Sequence, residues 1–291
     1  MEVKDVISKV RRIEIKARGL SKQVFAGQYH SAFKGKGMAF SEVREYQYGD
    51  DVRSVDWNVT ARYNHPYVKI FEEERELTVM LLIDVSQSNF FGSSLSYKSD
   101  VILELAGVLS FSAIFNNDKV GVILFSDMIE KYIPPQKGKS HILRIISELI
   151  RFQPQNRKTD IKVPLKFLTN VIKKKCTAFL ISDFQSGSYE EALRICRKRH
   201  DLVAIRLMDK LERELPNVGL IRAFDVEKQE IGWIDTASEK VRKKYKDHWE
   251  NFSDKTSDLF KKTGTDEVLL ENGEDYVKPL IKMFKKREAK Y

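Results

Sequence analysis

The sequence predicts an α/β fold built on a doubly wound, mostly parallel sheet, with a smaller segment at the N-terminus. Three observations predict it. Short, nearly unbroken apolar runs such as 77–85 end in polar residues, the pattern of strands buried on both faces. These runs alternate with longer stretches of helical length, as a sheet with helices on both sides requires. Hydrophobic residues make up 42% of the 291, enough for a core shared by both faces.

Element by element, a helix is expected over 5–19, where Val6, Val10 and Ile13 recur at helical spacing. The stretch 37–62, broken by Gly37 and Gly49, reads as turns and short strands. The run 77–85 is the first central strand, and 101–115 is a helix apolar on nearly every side. A strand follows at 119–125, with 128–133 as its antiparallel partner across a turn at Ser126-Asp127. Helices are expected at 141–152 and 161–171, joined by a polar loop. Then come a strand at 177–182, a helix at 189–199 and a strand at 202–208. A hairpin (220–226 with 230–234), a long charged helix at 237–262, a strand at 267–270 and a helix at 276–287 complete the chain. The expected division is an N-terminal segment, 1–76, and a larger domain, 77–291, carrying the hairpin and long helix as an insertion around 220–264.

Composition narrows the classes. The longest apolar stretches fall far short of the roughly 20 residues that span a bilayer. The opening Met1-Glu2-Val3-Lys4-Asp5 does not read as a signal peptide, so a cytoplasmic protein without a transmembrane segment is expected. Cys176 and Cys196, the two cysteines, read as buried free thiols. The net charge of +9 is spread over short clusters such as Lys173-Lys174-Lys175 and Arg242-Lys243-Lys244, interleaved with acidic groups. Solvated helix faces account for them, and no specific nucleic-acid partner is expected.

The segment with chemical content is Asp84-Val85-Ser86-Gln87-Ser88, directly after the first central strand. Residues spaced by two in a loop can aim three oxygen-bearing side chains at one point, and oxygen is what a hard cation such as Mg²⁺ or Mn²⁺ takes. Asp183 closes the apolar run 178–181, and Thr159 lies in the polar loop before 161. Three loops thus meet where open α/β sheets bind ligands, beyond the strand ends at the reversal of strand order. Capping and turn roles would explain any one of these residues alone. As a set they point to a metal site at Asp84, Ser86, Ser88, Thr159 and Asp183.

This set resembles the metal-ion-dependent adhesion site of von Willebrand factor A domains, whose fold is Rossmann-like. The resemblance implies that Ser86 and Ser88 bind the metal directly, Thr159 directly or through water, and Asp84 and Asp183 largely through water. It further implies that an acidic side chain of a protein partner fills the open position. The segment 44–62, with Asp50, Asp51, Arg53, Asp56, Trp57 and Arg62, is similar to the signature of a bacterial family numbered fifty-eight among the domains of unknown function. That resemblance implies an accessory to an AAA+ ATPase of the MoxR type, acting in client recruitment or maturation. Physically, the signature reads as ion-pairing groups that lock the N-terminal segment to the domain, with Trp57 anchoring it by burial; a direct partner-binding surface is the alternative.

An enzyme is the rival class: a metal-dependent hydrolase or phosphotransferase using the same carboxylates. The five histidines are scattered, and neither a nucleophile elbow nor a Gly-rich phosphate loop is visible. The site reads as hydroxyls and carboxylates alone, with no His, Lys or Cys poised beside them. Asp84 and Thr159 are expected in loops outside the core, so that their replacement would leave the fold intact. An adaptor that does no chemistry of its own is the expected function.

Overall fold

The structure, a computed structural model, describes residues 3–25, 39–72, 77–86, 97–156, 158–225 and 230–289. Its central sheet has six strands: β3 (Thr78–Asp84), β4 (Lys119–Phe125), β5 (Ile129–Gln136), β6 (Thr177–Ser182), β7 (Asp201–Met208) and β10 (Asp266–Glu271). Across the sheet they run β10-β7-β6-β3-β4-β5, all parallel except β5. The chain winds outward from β3 through β4 and β5, then returns to lay β6 on β3's other side. The reversal of strand order therefore falls between β3 and β6, which fixes where a ligand crevice belongs. The predicted doubly wound α/β class is the observed one.

Both faces of the sheet are covered, which is why the strands read as unbroken apolar runs. Val79, Leu81 and Ile83 of β3 enter one core, with α3 (Lys98–Phe115), α4 (Lys139–Arg151) and α9 (Val277–Glu288). Met80 and Leu82, one residue out of phase, enter the other, with α5 (Lys162–Val171), α6 (Glu190–Arg199) and Phe260 of α8 (Glu239–Thr263). At about 25 cal/mol per Å² of apolar surface, these two cores are the main stabilising term. Helix α3 is buried nearly all round because α1 (Val3–Phe25) covers its outer face, with Ile13 and Ala17 in the core. Gly107 permits this approach: a Cβ there would stand 2.8 Å from Ile13 Cγ2.

The expected boundary at residue 76 coincides with the end of the smaller unit, but α1, expected in the N-terminal segment, falls in the larger one. The described residues form two compact units, one within Met1–Phe33 and Leu77–Tyr291, the other within Lys34–Glu76. The apolar stripe of α1 completes the larger core, so its residues belong there. The expected hairpin is present as β8 (Leu220–Asp225) and β9 (Glu230–Asp235), a separate antiparallel pair, with a short α7 (Lys210–Arg213) before it. Cys176 and Cys196 are buried and free, and burial pushes their thiols up to about 12 and about 11. Among the described residues, no helix is long and apolar enough to cross a membrane.

The smaller unit pairs β1 (Ala39–Glu45) with β2 (Tyr67–Glu72), and between them lie a 3₁₀ turn (Val52–Ser54) and α2 (Trp57–Tyr63). The signature residues Asp50, Asp51 and Asp56 make hydrogen bonds within this unit. Asp50 takes a two-pronged hydrogen bond from Arg44, at 2.8 Å on each oxygen, which holds its carboxyl below the usual range. Asp51 caps the 3₁₀ turn, and Asp56 caps α2 through the Asn58 and Val59 amides. That cap also explains why a helix forms where turns were expected. Arg53 and Arg62 are exposed, and so is Trp57, at 70%. An exposed ring carries no anchoring burial. Trp57→Ala should therefore change the unfolding free energy by less than about 0.5 kcal/mol in a urea titration. A loss of several kcal/mol would restore the anchoring role.

Candidate metal centre

Asp84 is the last residue of β3, and the crevice at the strand reversal begins with it. Its position corrects the expectation of a loop outside the core, because the side chain is only 1% exposed. One carboxylate oxygen accepts from the Ser86 amide at 2.9 Å, the other from Ser182 Oγ at 2.6 Å, and the Ser86 hydroxyl also bonds to the group. Burial, followed by repulsion from Asp183, nevertheless pushes the Asp84 carboxyl up to about 6. Asp183 follows β6 directly and is equally buried. The sheet thus sets two carboxylates from adjacent strands within repulsive reach of each other, away from water.

The turn beyond Asp183 explains its orientation. Phe184 adopts a left-handed φ of 62°, which costs a non-glycine residue about 1–3 kcal/mol. Its ring is fully buried edge-on to Phe260 at 5.0 Å, and its amide bonds to Ser182 Oγ at 3.0 Å. These contacts hold the reversal, which returns the Gln185 amide to Asp183 Oδ1 at 3.1 Å.

Thr159 is half-buried in a stretch that crosses the end of β3. The Asp160 amide bonds to the Ser126 carbonyl, after β4, at 3.1 Å, and the Thr159 carbonyl accepts from Ser186 Oγ, after β6, at 3.3 Å. Because β4 and β6 flank β3, a segment tied to both straddles the crevice. Four of the five predicted residues are thus described around it: Asp84, Ser86, Asp183 and Thr159. Ser88 lies outside the described residues.

One prediction about the surroundings is overturned. Lys98, the first residue of α3, is fully buried here with its ammonium 3.7 Å from Asp183 Oδ2 and 2.5 Å from Glu212 Oε1. The site is not made of hydroxyls and carboxylates alone. Sequence reading missed Lys98, Glu212 and Ser182. The signal for Lys98 was present: a lysine opening a helix that is otherwise buried on almost every side.

The donors present fit a hard divalent cation. Two buried carboxylates held side by side repel each other, and that repulsion adds to burial in raising the Asp84 carboxyl. An ion of charge two would relieve it, with hydroxyls completing an all-oxygen set. Among the described residues, no three His, Cys, Asp or Glu side chains group as they would around an ion. The predicted set contains only two carboxylates, its other donors being Ser and Thr.

Known proteins share this fold and sequence. BatB, a conserved hypothetical protein from Bacteroides thetaiotaomicron, superposes with a TM-score of 0.50 over 74% of this chain and 100% of its own, at 15% identity. At that identity the likeness concerns the fold alone. The SpRpn10 VWA domain matches with a TM-score of 0.38 at 10% identity, over 71% of this chain and 94% of its own. An uncharacterized protein of Mycobacterium tuberculosis is 30% identical over 222 residues, 75% of this chain and 70% of the relative. The profile described as "Protein of unknown function DUF58" matches residues 42–254, from the signature unit through most of the sheet. On that match and that relative, the chain belongs to the DUF58 family.

Proposed function

We propose that the chain is a metal-dependent protein-binding adaptor of von Willebrand factor A-like type. Its partner would be an AAA+ ATPase of the MoxR type, which it would serve in the cytoplasm by recruiting or maturing a client. The observation that carries this reading is the pair of buried carboxylates, Asp84 and Asp183, facing each other at the strand reversal. Asp84, Ser86, Ser88, Thr159 and Asp183 would hold Mg²⁺ or Mn²⁺. A divalent cation with such ligands keeps an electrophilic position, and an acidic side chain of the partner is the group suited to fill it. Asp84 and Asp183 would supply charge, Ser182 and the Ser86 amide would orient Asp84, and the Phe184 turn would orient Asp183. In this reading Lys98 serves as the hydrogen-bond partner of Glu212 and not as a base for hydrolysis. Nucleic acid is not the expected partner.

The test is capture of a purified MoxR-type ATPase on immobilised protein, in Mg²⁺ and in chelator. Thr159→Ala is the informative variant, since Thr159 is only half-buried and its replacement spares both cores. Wild type should retain the ATPase in Mg²⁺ alone, and Thr159→Ala should lose most of that capture. Equal capture with chelator would remove metal from the reading. Turnover of phosphoesters that disappears in Thr159→Ala would replace the adaptor by a hydrolase.

A further inference from the structure

Lys98 and Glu212 are far apart in sequence, yet they form a salt bridge beside the crevice, with the lysine fully buried and the carboxylate partly so. The ammonium lies 2.5 Å from Glu212 Oε1 but 3.7 Å from Asp183 Oδ2, a hydrogen bond to the first and a looser electrostatic contact to the second. Glu212 is itself fixed from behind. Its other oxygen accepts from the Asp209 amide at 2.9 Å, in a reciprocal cap at the start of α7. Asp209 in turn accepts from the Leu211 amide at 3.0 Å and from Asn272 Nδ2, just after β10, at 2.9 Å. The ends of β7 and β10 therefore set where Glu212 stands, and Glu212 sets where the lysine points.

Charge balance gives this arrangement a consequence. Buried charges persist only when paired, and each unlike neighbour competes for the same counter-ion. With Lys98 hydrogen-bonded to Glu212 and only loosely in contact with Asp183, the charge that Asp183 presents to a cation beside Asp84 is only partly offset. Without the Glu212 charge, the ammonium would turn to Asp183, offset more of that charge and repel an incoming ion.

Resting on the metal reading above, we propose that Glu212 sequesters the Lys98 ammonium and so sets the affinity of the crevice for a divalent cation, without touching the ion. Lys98 is then a built-in competitor and Glu212 its keeper. Metal affinity answers to the β7–α7 corner, a region outside the ligand loops.

Titration of the full chain with Mn²⁺ alone, followed by calorimetry at fixed neutral pH, tests this, with folding of each variant checked by circular dichroism. Glu212→Gln should weaken binding by about tenfold or more, because an unmatched cation then sits beside the ion. The double variant Lys98→Met/Glu212→Gln removes competitor and keeper together and should return to within about threefold of wild type. Glu212→Asp, which retains the charge but shortens its reach, should weaken binding by roughly threefold and serves if Glu212→Gln does not fold. Wild-type affinity in folded Glu212→Gln, or in Glu212→Asp where only that variant folds, would overturn the proposal while leaving the metal site standing. A double variant as weak as the single one would assign Glu212 a merely structural role and overturn it as well. No binding by wild type would overturn both the metal reading and this one.

Discussion

Replacing Lys98 with methionine is expected to destabilise the metal-free protein by about 3–5 kcal/mol, the usual cost of breaking a buried ion pair from one side. The side chain has no contact with solvent, so its charge is not screened. Its loss strands Glu212, whose carboxyl burial already pushes upward, and removes the nearest cation from Asp183. Methionine fills most of the vacated volume, so the loss reports charge more than cavity. Urea denaturation in chelator measures it. Lys98→Met/Glu212→Gln should recover most of the loss, since replacing both partners leaves no stranded charge. A deficit below about 1 kcal/mol in Lys98→Met would mean that the pair is not buried as described.

The second large effect is on pH dependence. The Asp84 carboxyl is raised to about 6 in the folded protein, against about 3.9 in an unfolded chain. The folded state then holds the proton more tightly than the unfolded state does. The stability this contributes is fully present below about pH 4 and is lost as pH rises through about 6. The loss is on the order of 3 kcal/mol for a shift of this size. Asp84→Asn cannot ionise, so the wild type should lose stability relative to it between about pH 4 and pH 7 in chelator. Urea titrations across that range measure the difference, and parallel stability profiles would show that the Asp84 carboxyl is not raised by its burial and by Asp183. Millimolar Mn²⁺ should flatten the wild-type decline, because a cation favours the ionised form.

Most of the fold was legible because two-sided burial leaves an unmistakable trace. Out-of-phase residues such as Leu81 and Leu82 both had to be apolar, and 177–182 was delimited to the residue. The strand ends then located Asp84 and Asp183. What escaped depends on partners distant in sequence. The apolar helix that Lys98 opens hinted at its burial, but nothing local names Glu212, 114 positions away, as its partner. Asp84 was read as a loop residue because its partner Ser182 comes from another strand, 98 positions on. The covering of α3 by α1 was hidden for the same reason, since neither stripe names its partner. Trp57 erred in the opposite direction: a large ring suggests burial, but nothing within its own segment decides it. The short helix it opens was obscured by the glycines before it, although the Asp56 cap stood in the sequence.

The central claim is that Asp84 and Asp183 hold a divalent cation, and direct binding tests it best. Mn²⁺ titrated into the chain and followed by electron paramagnetic resonance should show one ion bound per wild-type chain. At 100 times its dissociation constant the ion should also stabilise the fold by about 2.7 kcal/mol, seen as a rise in Tm. Asp183→Asn should lose both the binding and the rise. A wild type that leaves Mn²⁺ free in solution, or an Asp183→Asn that binds it equally well, would contradict the account.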